Sequence, residues 1–181
     1  TIEHPATARP CAFLERQGFA VTRLGVDADG RARLDQARDA IRTDTALVTV
    51  MHSNNETGVL QPVADLAQLA HASGAVVHTD AAQSIGKVPV RVRELEVDLL
   101  SVAGHKLYAP KGVGALYVRR GTPLTPVVLG ASHERGLWDT DACGSGPARA
   151  ADLRVDVAWD APGDDAANVN GEYVRVSNRS P

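Results

Sequence analysis

Three short apolar runs, "TALVTVMH" (45–52), "GAVVHTD" (74–80) and "VDLLSVAGHK" (97–106), constrain the fold of this 181-residue chain more than any other feature. Each is rich in aliphatic and β-branched residues and ends in a polar cluster, the pattern of a buried strand. Between the first two, Val63, Leu66, Ala67 and Ala70 recur at the spacing of one helix face. Strand, helix, strand in that order predicts an α/β fold with a central, mostly parallel sheet flanked by helices. The near-continuous apolar character of 45–52 marks a strand covered on both faces.

The remaining elements follow from periodicity and turn chemistry. Residues 5–17 (PATARPCAFLERQ) read as a helix weakened by Pro10, and "GFAVTRLGVD" (18–27) reads as a short strand running into a turn at "DADG". "RLDQARDAIR" (33–42) is a short amphipathic helix with Leu34, Ala37 and Ile41 on one side. "VGALYVRR" (113–120) is a further strand, which its short connection to Lys106 sets antiparallel at the sheet margin. After Gly136 the composition turns to Asp, Ala, Gly and Asn. There only Asp152 to Asp160 alternates, with Leu153, Val155, Val157 and Trp159 on one face, favouring a strand or hairpin.

Composition narrows the function classes. A net charge of −3 with interspersed signs argues against nucleic acid or an anionic membrane as the main partner. Cys11 and Cys143 lie far apart without metal spacing, so a disulfide framework and a zinc finger are both disfavoured and a reducing, cytoplasmic compartment is expected. The apolar runs are too short to span a bilayer, and no charged-then-apolar leader opens the chain. "TIEHPA" begins without methionine in what reads as a strand end, so the chain is expected to be a piece of something longer.

Parallel sheets bind ligands beyond the carboxyl ends of their strands. Asn54, Asn55 and Glu56 follow the first strand, Asp80 and Gln83 the second, His105 and Lys106 the third. An amine, a carboxylate and several hydrogen-bond donors meeting in one crevice suit pyridoxal phosphate (PLP), which needs an amine for its aldehyde, a carboxylate for its pyridine nitrogen, and donors for its phenolate and phosphate. A lysine near the cationic ring, away from bulk water, loses its proton more easily. Taken singly, Asp80 serves equally as a helix cap, Asn55 as a turn residue, and Lys106 as a solvated turn lysine. His52, His71, His78 and His133 invite a metal reading, since His78 and Asp80 share a strand face, but no H-x-x-x-H or H-x-H cluster supports one.

The stretches "TIEHPA", "MHSNNETGVLQPV", "VHTDAAQSIGKVPV", "VDLLSVAGHKLYAPKGVGALYVRR" and "HERG" resemble the cysteine desulfurase and selenocysteine lyase group of class V aminotransferases, continuously from Thr1 to about Gly136. The resemblance implies part of the large domain of a type I PLP-dependent transferase over 1–136, followed by a divergent tail over 137–181, irregular or a short hairpin. It implies a PLP-dependent cysteine desulfurase that turns L-cysteine into alanine and leaves its sulfur as a protein persulfide for iron–sulfur clusters or thiolated products. The alternatives are another class V PLP enzyme, a selenocysteine lyase or a transaminase, or a noncatalytic α/β interaction domain.

Residue by residue, the resemblance makes Lys106 the lysine that binds the cofactor covalently and moves protons, and His4 the residue that stacks on the ring and takes part in proton transfer. Asp80 pairs with the pyridine nitrogen, Gln83 and Asn55 face the phenolate oxygen, and His105 lies beside the phosphate. It also implies a homodimer in the full-length family and a sulfur-acceptor or scaffold protein as partner.

The chain departs from the pattern in places. Ala103 stands where a phosphate-binding serine is common, and the earlier phosphate loop belongs before Thr1. Beyond "HERG" the small domain, the arginine that clamps the substrate carboxylate and the persulfide-cysteine loop are not recognisable. Cys143 does not match that cysteine's position. A shifted reading frame or a joined terminal segment would account for the break.

Overall fold

The computed structural model describes residues 2–125, 153–157 and 174–178. In chain order the elements are α1 (Pro5–Arg16), α2 (Leu34–Ala40), β1 (Leu47–Met51), α3 (Val63–Ala72), β2 (Val76–Asp80), α4 (Val92–Leu95), β3 (Leu99–Ala103), β4 (Gly114–Val118), β5 (Leu153–Val157) and β6 (Val174–Asn178). Two compact units result, one of Thr1–His4 with Thr22–Thr122 and one of Pro5–Val21 with Pro123–Pro181.

The first unit carries a four-stranded sheet in the order β1-β2-β3-β4. β1, β2 and β3 are parallel and β4 is antiparallel to β3. The parallel pairs require crossovers, and α3 supplies the one between β1 and β2. The link from β3 to β4 is short, so β4 returns antiparallel at the margin, as the sequence predicts.

Strand alternation sends two sets of side chains to opposite faces. Val48, Val50, Val77, Leu100, Val102 and Tyr117 join one hydrophobic cluster with Val63, Leu66, Ala67 and Ala70 of α3 and with Leu34, Ala37 and Ile41 from α2 and its C-cap. Val63 and Leu66 are completely buried, each contributing about 1.5–3 kcal/mol by leaving water. α3 stops at Gly74, whose φ of +81° belongs to the left-handed region that glycine adopts without strain. On the same sheet face Thr79 is buried, and its hydroxyl donates to the Val50 carbonyl at 2.8 Å.

At the amino ends of the parallel strands Asp98 is a junction. Its Oδ2 accepts the Val77 amide at 2.8 Å and pairs with His71 Nε2 at 2.8 Å, while Oδ1 lies 3.4 Å from Arg119 Nε. One carboxylate thus ties together α3, β2, β3 and the residue after β4.

The predicted strand over 18–27 is absent. Its backbone makes a single bridge, Val26 to Ala32, across the turn in which Asp27 Oδ1 accepts the amides of Asp29 and Arg31. A strand exists only through its ladder, and among the described residues this segment has no second row to pair with. The short helix α4 has no counterpart in the sequence reading.

The second unit contains α1, with Pro5 at its first position, where a missing N–H costs nothing, and Pro10 inside it. It also contains the antiparallel pair β5–β6, in register from Leu153–Asn178 to Val157–Val174. β5 falls in the alternating stretch of the tail; Cys143, His133 and Trp159 lie outside the described residues. Among the described residues no helix is long and apolar enough to cross a membrane, and no group of His, Cys, Asp and Glu is arranged to hold a metal.

Candidate active site

The register brings Met51, Asp80 and Ser101 into one row at the carboxyl ends of β1, β2 and β3. Beyond this row lies a shallow crevice lined by His4, Met51, Ser53, Asn55, Asp80, Gln83 and Lys106. Residues separated by as much as 102 positions therefore meet where a parallel sheet is expected to bind its ligand.

Asp80 is held by its own turn. Its Oδ1 accepts the Ala82 amide at 2.8 Å, its carbonyl accepts the His52 amide at 2.8 Å, and the next amide, Ala81, donates to Ser101 O at 3.0 Å. Oδ2 is left as the oxygen available to a cationic partner. Gln83, one turn on, has its Oε1 engaged by Lys87 Nζ at 2.9 Å, so its amide NH2 is the end free to donate into the crevice.

The two adjacent asparagines divide their work. Asn54 is buried, and its Oδ1 accepts the amides of Glu56 and Thr57 at 2.9 Å and the Thr57 hydroxyl at 3.1 Å. Its Nδ2 donates to Ile2 O at 3.0 Å. Asn55 is exposed and lines the crevice. The loop is built by the first residue, leaving the second for a ligand.

Residues 2–4 are pinned beside β1 by that Ile2 contact and by Glu3 Oε1, which accepts the Met51 amide at 2.8 Å. His4 is thereby carried to the crevice wall. Glu3 Oε2 is buried without a partner, and burial, reinforced by the nearby Asp80 charge and opposed by the Met51 amide, pushes the carboxyl up to about 7.

Lys106 reaches the crevice because of the turn that precedes it. After β3 the chain tightens into a 3₁₀ turn over Gly104–Leu107, with the Gly104 amide donating to Val113 O at 2.8 Å and the Gly104 carbonyl accepting the Ala109 amide at 3.1 Å. A Cβ at position 104 would lie 2.3 Å from Val113 O, so the strand-to-turn passage is closed to every residue but glycine. His105, in the same turn, is exposed and does not line the crevice. Ala103, at the end of β3, is buried.

Sequence reasoning singled out His4, Asn55, Asp80, Gln83, His105 and Lys106, and all but His105 line the crevice. It missed Met51 and Ser53. Met51 reads from sequence as an apolar strand residue, and only the register places it level with Asp80; Ser53 carries no signal beyond its position two residues further. His78 lies below Asp80 on the same face of β2 and bonds to Thr49 Oγ1 at 2.8 Å and Ser101 Oγ at 2.9 Å. Desolvation lowers its pKa to about 4 even though Asp80 acts in the opposite sense. His52 is buried with Nδ1 unpartnered, and desolvation lowers its pKa also.

An amine, a carboxylate with one unengaged oxygen, amide donors and an imidazole around one crevice suit a ligand with an electrophilic carbonyl and a protonated ring nitrogen. The sequence pattern of the family "Aminotransferase class-V" matches residues 1–141. The chain is 52% identical over 136 residues to a cysteine desulfurase of Gluconacetobacter diazotrophicus, covering 75% of this chain and 34% of that protein. It is 48% identical over 133 residues to the cysteine desulfurase IscS of Dictyoglomus turgidum, covering 74% and 34%. Among solved structures, a NifS-like protein superimposes with a TM-score of 0.71 at 40% identity, covering 75% of this chain and 38% of that one. SspA in complex with cysteine also gives 0.71, at 42% identity, covering 81% and 42%. The chain spans about a third of the length of the curated relatives it matches.

Proposed function

The chain belongs to the class V aminotransferase family, and from that premise we propose that it is the PLP-holding part of a cysteine desulfurase. The observation that carries the reading is the meeting of Lys106 and Asp80 in one crevice with His4, Asn55 and Gln83. The donor set fits the cofactor. Lys106 would hold its aldehyde carbon, the unengaged Oδ2 of Asp80 its ring nitrogen, and Asn55 with the free amide end of Gln83 its phenolate side. His4 would cover the ring face and His105 would lie toward the phosphate. When bound, PLP supplies an electron sink that stabilises negative charge at the substrate's α-carbon.

The residues' own contributions follow from their chemistry. Asp80, fixed by Ala82 and unpaired at Oδ2, keeps a proton on a ring nitrogen by offering it a carboxylate. Lys106, once its amine is released, is positioned to take a proton at the α-carbon and return it, and His4 provides a second proton carrier on the ring's face. Met51, buried and level with Asp80 in the register, forms part of the crevice wall.

The whole-protein activity proposed is conversion of L-cysteine to alanine, with the sulfur taken up by a protein thiol as a persulfide and passed to an acceptor or scaffold protein. SspA was solved with cysteine, which supports the substrate. The reading includes a homodimer, a cytoplasmic location, and a division between a cofactor-binding part over 1–136 and a divergent tail over 137–181.

The test is absorbance. PLP added to the purified chain should give a visible band that Lys106→Ala abolishes. A band of equal strength in both proteins, or in neither, refutes the cofactor reading. A lysine-dependent band with alanine formed from cysteine supports the desulfurase; the same band with turnover of a different amino acid and no alanine refutes that substrate.

A further inference from the structure

His78 is not part of the crevice lining, yet it is built into the row directly beneath it. β2 reads Val-Val-His-Thr-Asp, and an imidazole buried in such a strand is expensive to desolvate. The cost is offset because both ring nitrogens are bonded, Nδ1 to Thr49 Oγ1 and Nε2 to Ser101 Oγ. The register shows what the second bond does. Thr49 is the direct partner of His78 on β1, whereas the direct partner on β3 is Leu99. The ring passes Leu99 by and takes the hydroxyl of Ser101, which is the partner of Asp80. It therefore leans toward the carboxyl end of the sheet and fixes the residue that also receives the Ala81 amide on the far side of Asp80.

Resting on the reading of Asp80 as the partner of a pyridine nitrogen, we propose that His78 is a positioning residue for Asp80: by clamping Thr49 and Ser101 across the three parallel strands it sets the place and surroundings of the carboxylate. Burial also keeps the ring uncharged, its pKa pushed down to about 4. No cation then sits below Asp80 to neutralise it at neutral pH.

The test compares His78→Leu, which removes both bonds at similar volume, and Ser101→Ala, which removes only one hydroxyl. Leu99→Ala, a buried neighbour on the same sheet face, controls for lost stability. Two readouts are taken: the titration of the Asp80 carboxyl carbon by 13C NMR without cofactor, and the pH midpoint of the visible band with PLP added. His78→Leu and Ser101→Ala are each expected to move both midpoints away from wild type, because each breaks the bond that holds Ser101 beside Asp80. Leu99→Ala is expected to lower thermal stability while leaving both midpoints in place. Midpoints in the two variants that coincide with wild type, or that move no further than in Leu99→Ala, overturn the proposal. If no lysine-dependent band forms but the Asp80 midpoint still follows His78, the cofactor reading fails and the clamp is upheld. A normal band with an unmoved Asp80 does the reverse.

Discussion

Replacing Glu3 with glutamine should change how the stability of this chain depends on pH. In the fold the Glu3 carboxyl is raised to about 7 from an ordinary 4.5, first by burial. A raised carboxyl is protonated in the folded state and ionised in the unfolded state between those two values, so its contribution is fully present below about pH 4.5 and is lost as pH rises through 7. The gap corresponds to about 3 kcal/mol. Glutamine keeps the carbonyl oxygen that accepts the Met51 amide and cannot ionise. Urea unfolding of both proteins at pH 5 and pH 8 isolates the effect, because the opposing titration of His78 is common to both and cancels. The variant should gain about 2–3 kcal/mol on wild type between the two pH values. A stability difference that stays constant with pH refutes the assignment of a protonated acid at position 3.

Further outcomes follow from other contacts. Gly104→Ala forces a methyl against Val113 O and should destabilise the chain by about 3 kcal/mol or more, read as a lower thermal midpoint; an unchanged midpoint contradicts the close approach. Asp98→Ala strips the Val77 amide, His71 and Arg119 of a shared partner and should cost about 3 kcal/mol in denaturant unfolding. A loss under about 1 kcal/mol would mean that the junction contributes no more than a surface ion pair.

The parallel core was legible because β1, β2, β3 and α3 carry periodic apolar patterns that no alternative structure buries as well. The antiparallel return of β4 followed from the length of its connection. The missing strand over 18–27 shows the limit of pattern: Phe19, Val21 and Leu24 have strand-like character, but a ladder needs a neighbour and, among the described residues, only Val26 finds one. At the site, residue types pointed to Lys106, Asp80, Gln83 and Asn55, while the division of labour between Asn54 and Asn55 needed the hydrogen bonds. Register is a pairwise property, so Met51 beside Asp80 and His78 reaching past Leu99 to Ser101 could not be read from any one segment. Glu3 and His4 depend on contacts with residues some 50 positions away.

The chain has three lysines, Lys87, Lys106 and Lys111, which makes the central claim directly measurable. PLP is bound to the purified chain, the adduct is reduced with borohydride, and the labelled residue is located by mass spectrometry of the digest. The label is predicted on Lys106. Labelling on Lys87 or Lys111 in its place, or spread evenly over all three, would contradict the account.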